Sequence, residues 1–243
     1  MELLIFISKF LALAAGILAL ALYYDKKLFI LFLALAAGIL ALGLYHDKKR
    51  REALERVAAQ LGMRFSAQLP EEIRSRLLQA GFGLFERGHG RRFYNSMSKR
   101  LIDGTEITVF DYQYTSGSVK SSSTYNRSVF YAYHEDLHLP RFQLHPENAL
   151  FHGIAKAFGM QDINFESHPK FSRSYLLRGE NEAQVRLRFH PGVLGFWEQH
   201  PNYCAEGAGA HLILWQNNRR VSPEEMAEWM RLGEELTQRL RRM

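Results

Sequence analysis

One hydrophobic phrase occurs twice in this chain. Residues 10–27 read FLALAAGILALALYYDKK and residues 32–49 read FLALAAGILALGLYHDKK; the copies, 22 positions apart, differ only at Ala21/Gly43 and Tyr24/His46. Neither contains Pro, and neither carries a charge before its closing Asp-Lys-Lys. A helix needs an apolar run of about 20 residues to cross roughly 30 Å of hydrocarbon. Residues 3–24 supply one such run, interrupted by Lys9, and residues 28–45 supply another with no charge. Between them stand Asp25, Lys26 and Lys27, enough for a tight turn. The pattern predicts a transmembrane helical hairpin over residues 1–49. A cleaved signal peptide over residues 1–22 is the alternative, but its basic region would come earlier and its apolar core would be shorter. One continuous inserted helix would hold Asp25, Lys26 and Lys27 at mid-membrane, at about 2.5–3.5 kcal/mol per charge.

Basic residues set the orientation. Lys48, Lys49, Arg50 and Arg51 follow the second run, whereas the turn carries only Lys26 and Lys27. The positive-inside bias then predicts a multi-pass protein with both termini in the cytoplasm. The same four residues are expected to contact anionic lipid, at about 1 kcal/mol each. Small residues recur one helical turn apart, as Ala12/Gly16 and Ala15/Ala19, then Ala34/Gly38 and Ala37/Ala41. Such spacing lets helix backbones approach closely. It predicts that the copies pack on each other or on a second subunit.

The net charge of +6 resembles a nucleic-acid signal, but its distribution argues otherwise. Seven of the Lys/Arg and three of the Asp/Glu residues lie in residues 1–51, so the remaining 192 residues carry only +2. The excess sits beside the apolar runs, and no nucleic-acid partner is expected. A single cysteine, Cys204, excludes an internal disulfide framework and a cysteine-based zinc site.

Residues 50–243 read as one soluble domain. Helical spacing of Leu54, Val57, Ala58 and Leu61 continues the second run to Gly62, a fitting residue just past a helix end. A second helix covers residues 71–80, between Pro70 and Gly81. Residues 106–114 alternate, with Thr108, Phe110, Tyr112 and Tyr114 on one face, and residues 128–134 alternate with Val129, Tyr131 and Tyr133 together. These predict a hairpin, joined through a polar loop at 115–124 and flanked by residues 91–100. Further helices are expected at 146–158, 182–189 and 193–199, and strands at 171–177 and 210–216. A last helix starts at Ser222, Pro223 and Glu225, with Met226, Trp229, Met230, Leu236 and Leu240 along one face. The fold class is therefore α+β: a transmembrane hairpin followed by an antiparallel sheet with flanking helices.

Four short segments carry a resemblance: Phe110-Asp111-Tyr112-x-Tyr114, Leu139-Pro140-x-Phe142-x-Leu144, Asp162-Ile163-x-Phe165 and Phe171-Ser172-x-x-Tyr175. In these the chain resembles uncharacterised bacterial membrane-anchored proteins that pair a short N-terminal anchor with an α+β domain of unknown function. The resemblance implies a bacterial inner membrane and transfers no catalytic residue.

The sharpest chemical motif is His134-Glu135-Asp136-Leu137-His138, which satisfies H-E-x-x-H. On a helix, His134 and His138 would hold zinc and Glu135 would activate water. The neighbouring pattern opposes a helix: residues 128–134 alternate as a strand, and Pro140 restricts Leu139. On a strand the two histidines stand about 13 Å apart, too far to share an ion. The other histidines lack paired ligand spacing. Cys204 reads as a buried thiol, Gly81-x-Gly83 and Gly88-x-Gly90 as turns, and the hairpin aromatics as a core wall or, less simply, a ligand groove. No cofactor is expected. The sequence thus favours a non-catalytic interaction or assembly module held at a lipid bilayer, self-associating or bound to an unidentified protein. The alternatives are a membrane-bound zinc hydrolase and a pore or transporter subunit, the latter opposed by the lack of intramembrane polar residues beyond Lys9.

Overall fold

The computed structural model describes residues 16, 26–118, 121–147 and 162–241. The chain divides into two units, Met1–Leu54 and Glu55–Met243. Helix α1, Lys26–Gln60, runs 35 residues without a break, about 52 Å at 1.5 Å per residue. The described residues therefore hold one apolar helix rather than two. Lys26 and Lys27, expected in a connecting turn, begin α1 instead, consistent with the high helix propensity of Lys. The first expected span, residues 3–24, lies outside the described residues except Gly16, which is helical and exposed. The expected run-on from the second span to Gly62 is present. Gly62 adopts φ +63°, its N–H donates to the Ala59 carbonyl (3.3 Å), and the Met63 N–H donates to the Ala58 carbonyl (2.8 Å). This reciprocal pair satisfies carbonyls that a helix end otherwise leaves open.

The described residues of the second unit form eight antiparallel strands: β1 (Arg64–Gln68), β2 (His89–Arg100), β3 (Glu106–Ser118), β4 (Ser121–Tyr133), β5 (Leu139–Pro146), β6 (Tyr175–Gly179), β7 (Tyr203–Gly209) and β8 (His211–Gln216). Their order across the sheet is β1-β2-β3-β4-β8-β7-β5-β6. Helices α2 (Glu71–Gln79) and α3 (Gly83–Glu86) cover one face. There Leu77, Phe82, Leu84 and Phe85 bury against Phe110, Tyr112, Val129, Tyr131 and Trp215. Alternation turns the intervening residues to the opposite face. That face meets α4 (Pro169–Ser174), α5 (Glu182–Arg188), α6 (Pro191–Gln199) and α7 (Met226–Arg241). Phe142 packs edge-on against Phe189, and α7 lies so close to β4 that a Cβ at Gly233 would meet the Phe130 ring at 2.6 Å.

Several expectations need correction. Residues 115–118 and 121–124 form strand, not loop, with Thr115 opposite Thr124 and Ser118 opposite Ser121. Serine and threonine mark loops only by correlation; here the backbone ladder decides. Gly117 fits because any Cβ would strike the Ser121 carbonyl at 2.1 Å. Residues 171–177 divide into the end of α4 and β6, since Pro169 at the helix start outweighs local alternation. Strands β1, β5 and β7 have no counterpart in the sequence reading. The helix expected at 146–158 falls largely outside the described residues, and Pro146 itself ends β5. The last helix is as expected: Ser222 and Glu225 exchange hydrogen bonds at its start (3.2 and 3.4 Å), and all five residues of the expected apolar face are buried.

One polar network joins these layers. Asp111 of β3 is 2% exposed. Its carboxylate accepts from Asn95 Nδ2 at the β2 bulge (3.1 Å) and from Ser128 Oγ of β4 (3.0 Å). Ser128 Oγ in turn accepts from the Val221 N–H (3.0 Å), fixing the segment that leads into α7. A buried donor without its acceptor pays the full cost of desolvation. Replacing Asp111 with Ala should therefore destabilise the fold by about 3 kcal/mol in denaturant melts; a cost below about 1 kcal/mol would contradict this role.

Candidate functional site

The aromatic row on β3 does not extend along the whole strand. Phe110, Tyr112 and Tyr114 lie under α2 and α3, whereas Thr108 and Glu106, on the same face, line an open cleft of about 620 Å³. Ligand pockets span roughly 300–1,000 Å³. Helix α2 forms one wall through Ile73 and Arg76, and β1–β3 form the floor. The floor is hydroxylic, with Ser98 Oγ and Thr108 Oγ1 3.0 Å apart and Ser96 Oγ donating to the Gln68 carbonyl (2.9 Å).

The lining is cationic, with Arg64, Arg76, Lys99 and Arg100 against Glu72 and Glu106. Arg76 lies 4.7 Å over the Tyr133 ring and donates to Glu106 (2.8 Å), while Arg100 donates to the other Glu106 oxygen. Burial acts to raise the Glu106 carboxyl, but hydrogen bonds and charge from Arg76 and Arg100 outweigh it and hold the group below the ordinary carboxylate range. Lys99 pairs with Glu234 (2.7 Å). Among the described residues the Arg64 guanidinium has no ion-pair or hydrogen-bond partner, while its backbone lies opposite Ser98 in the β1–β2 ladder. The cleft thus presents guanidinium N–H groups and hydroxyls around a carboxylate shared by Arg76 and Arg100, donors of the kind that oxyanions accept from.

A second polar group is enclosed. Glu206 of β7 is 2% exposed and accepts the N–H groups of Gly83 (2.7 Å) and Leu84 (3.0 Å), clamping α3 to the sheet. Burial pushes its carboxyl up to about 7, against the opposing pull of Arg87 and these two N–H groups. On the same face lie Cys204, whose thiol burial drives up to about 12, and His145, which burial holds down at about 3. The thiol is inert as a nucleophile at neutral pH.

The H-E-x-x-H segment forms no helix. His134 is extended, Glu135–Leu137 make one 3-10 turn, and His138 adopts φ +41°. Both ring nitrogens of His134 are engaged, Nε2 with the Asp103 carbonyl (2.9 Å) and Nδ1 with the Asp136 N–H (3.0 Å). Among the described residues no three His, Cys, Asp or Glu side chains could hold a metal ion. The zinc reading of His134, Glu135 and His138 therefore lacks the helix it requires: the two histidines must stand one helical turn apart on an α-helix, and here a strand ends and a single 3-10 turn follows. The groove reading of the aromatic hairpin fails too, because Phe110, Tyr112 and Tyr131 are at most 1% exposed. Lys48, Lys49 and Arg51 are exposed on α1, with Arg50 half-buried. Ala34, Ala37, Gly38 and Ala41 are exposed as well, and a Cβ at Gly38 would meet nothing within 4 Å. Ala12, Ala15 and Ala19 lie outside the described residues. Sequence reasoning missed the cleft; its trace was Thr108 at the polar end of an otherwise aromatic row.

No protein-family model matches this chain, and no curated protein matches it in sequence. One solved structure is similar in fold: the mycobacterial trehalose monomycolate transport factor A, TtfA. The match has a TM-score of 0.55 at 11% identity and covers 79% of this chain and 93% of that one. At this identity the likeness shows a shared fold of antiparallel sheet and helices.

Because the folded carboxyl of Glu206 holds its proton to about pH 7 while the unfolded one releases it near 4.5, Glu206 should make stability fall as pH rises between those values. The expected loss is on the order of 3 kcal/mol. Melts of the wild type and Glu206→Gln from pH 5 to 8 isolate it: the variant should lose this downward slope, and identical slopes would contradict the assignment.

Proposed function

We propose that this chain is a membrane-anchored, non-catalytic interaction module of a bacterial inner membrane, its sheet domain lying in the cytoplasm. One observation carries the reading. Helix α1 is long and apolar enough to cross a membrane, and Ile30, Leu31, Leu35 and Leu42 are each 57–68% exposed. A large apolar side chain gains about 1.5–3 kcal/mol on leaving water, so this surface demands lipid or another helix. Lys48, Lys49, Arg50 and Arg51 supply the positive-inside signal and favour a cytoplasmic domain. The exposed small residues Ala34, Ala37, Gly38 and Ala41 fit close packing against a second α1 or a partner helix.

The fold likeness supports an accessory role over a catalytic one. TtfA is a mycobacterial transport factor for trehalose monomycolate. By analogy of fold alone, the present chain would assist transport or assembly at its membrane by holding a partner there. Membership of the bacterial membrane-anchored group that the sequence resembles is part of the same proposal.

Cell fractionation and fusions test it. The full chain should stay in the pellet through alkaline carbonate extraction, and green fluorescent protein fused after Met243 should fluoresce while alkaline phosphatase at that position stays inactive. Release by carbonate would overturn the anchor; an active phosphatase fusion would overturn the orientation.

A further inference from the structure

We propose that the cleft between α2 and the β1–β3 end of the sheet binds a phosphate ester through Arg64, Arg76 and Arg100. The argument begins with the floor. A sheet face built only for packing continues its apolar row, as β3 does at Phe110, Tyr112 and Tyr114. At Thr108, Ser98 and Ser66 the row becomes hydroxylic where the cleft opens, so polar side chains line space that a core would fill with carbon. Hydroxyl groups both donate and accept, which suits an oxygen-rich ligand.

The rim sets its charge. Arg76 is held in one plane by Tyr133 and Glu106, so its fork is preorganised. The Arg100 side chain is 69% exposed and gives Glu106 one hydrogen bond, which leaves most of its five N–H donors available. Arg64 brings a guanidinium with no partner among the described residues. Three forked donors outnumber the two carboxylates of the lining, Glu106 and the largely exposed Glu72 3.8 Å from Arg76, so the rim favours an anion, and the fork geometry matches phosphate. At about 620 Å³ the cleft exceeds one phosphate ion and takes a small polyol as well, which the hydroxyl floor can bind. Two sources share that chemistry: the headgroup of an anionic phospholipid and a free phosphate ester. The cleft lies wholly within the sheet unit, so this inference does not rest on α1 entering a membrane.

The test uses the full chain purified in a non-ionic detergent, with sn-glycerol 3-phosphate as probe in calorimetric titration. Saturable binding is expected, weakened about tenfold by Arg64→Gln and again by Arg100→Gln, each the loss of a charge-assisted contact. Both side chains are exposed, and unchanged melting temperatures verify folding; Arg76→Lys, which keeps the charge but not the fork, should also weaken binding. A second arm repeats the titration in nanodiscs of phosphatidylcholine with and without phosphatidylglycerol. Loss of glycerol 3-phosphate binding in the anionic discs alone assigns the site to a lipid headgroup; equal binding in both assigns it to a soluble ester. Absence of saturable binding in detergent and in the neutral discs, or binding that the double variant leaves unchanged, overturns the proposal.

Discussion

Apolar side chains have to leave water, and in this chain two different surroundings receive them. In the sheet domain helices pack on both faces of the sheet, and residues such as Leu77, Phe110, Trp197 and Trp215 have no exposed surface. Along α1 the same kinds of side chain face outward: Leu31 is 68% exposed and Leu35 63%. A soluble protein scatters such residues singly, whereas here they run continuously on one helix. The functional reading follows from this asymmetry.

Within the domain, the β3–β4 ribbon decides which layer receives each residue. Successive side chains alternate between faces, so Phe110 and Tyr112 join the α2–α3 layer while Asp111 between them turns to the opposite side. That carboxylate is tolerated because Asn95 and Ser128 supply hydrogen bonds from both neighbouring strands. Glu206 plays the corresponding role on the aromatic face, where it fixes a helix of only four residues that could not persist alone. Each buried acid ties one covering layer to the sheet.

The sequence disclosed features with strong local causes. Gly62 and Gly81 end helices through a left-handed backbone, and Ser222 with Glu225 starts one. The rows Phe110–Tyr112–Tyr114 and Val129–Tyr131 carry the two-residue period of a sheet. Features decided by distant partners stayed hidden. Strands β1, β5 and β7 have weak patterns of their own and are fixed by hydrogen bonding to neighbours, with Gly207 of β7 fitting only because Phe142 of β5 crosses it. The polar run at 115–124 reads as loop until its partner strand is known. The cleft was equally illegible, since Arg64, Arg76 and Arg100 come from three elements and acquire meaning only when the sheet brings them together. H-E-x-x-H shows the converse: the letters are local, but the helix they require is denied by the strand before them.

The proposed anchor places residues 28–45 of α1 in hydrocarbon and the basic cluster after them at the water interface. Site-directed spin labelling tests it most directly, with single cysteines placed in turn from Ile30 to Arg51 in a Cys204→Ala background and the protein reconstituted in lipid vesicles. The account predicts that access to dissolved oxygen peaks near Ile39, and that access to a water-soluble nickel chelate stays low until Lys48 and then rises through Arg51. Uniformly high nickel access along residues 30–45 would contradict it.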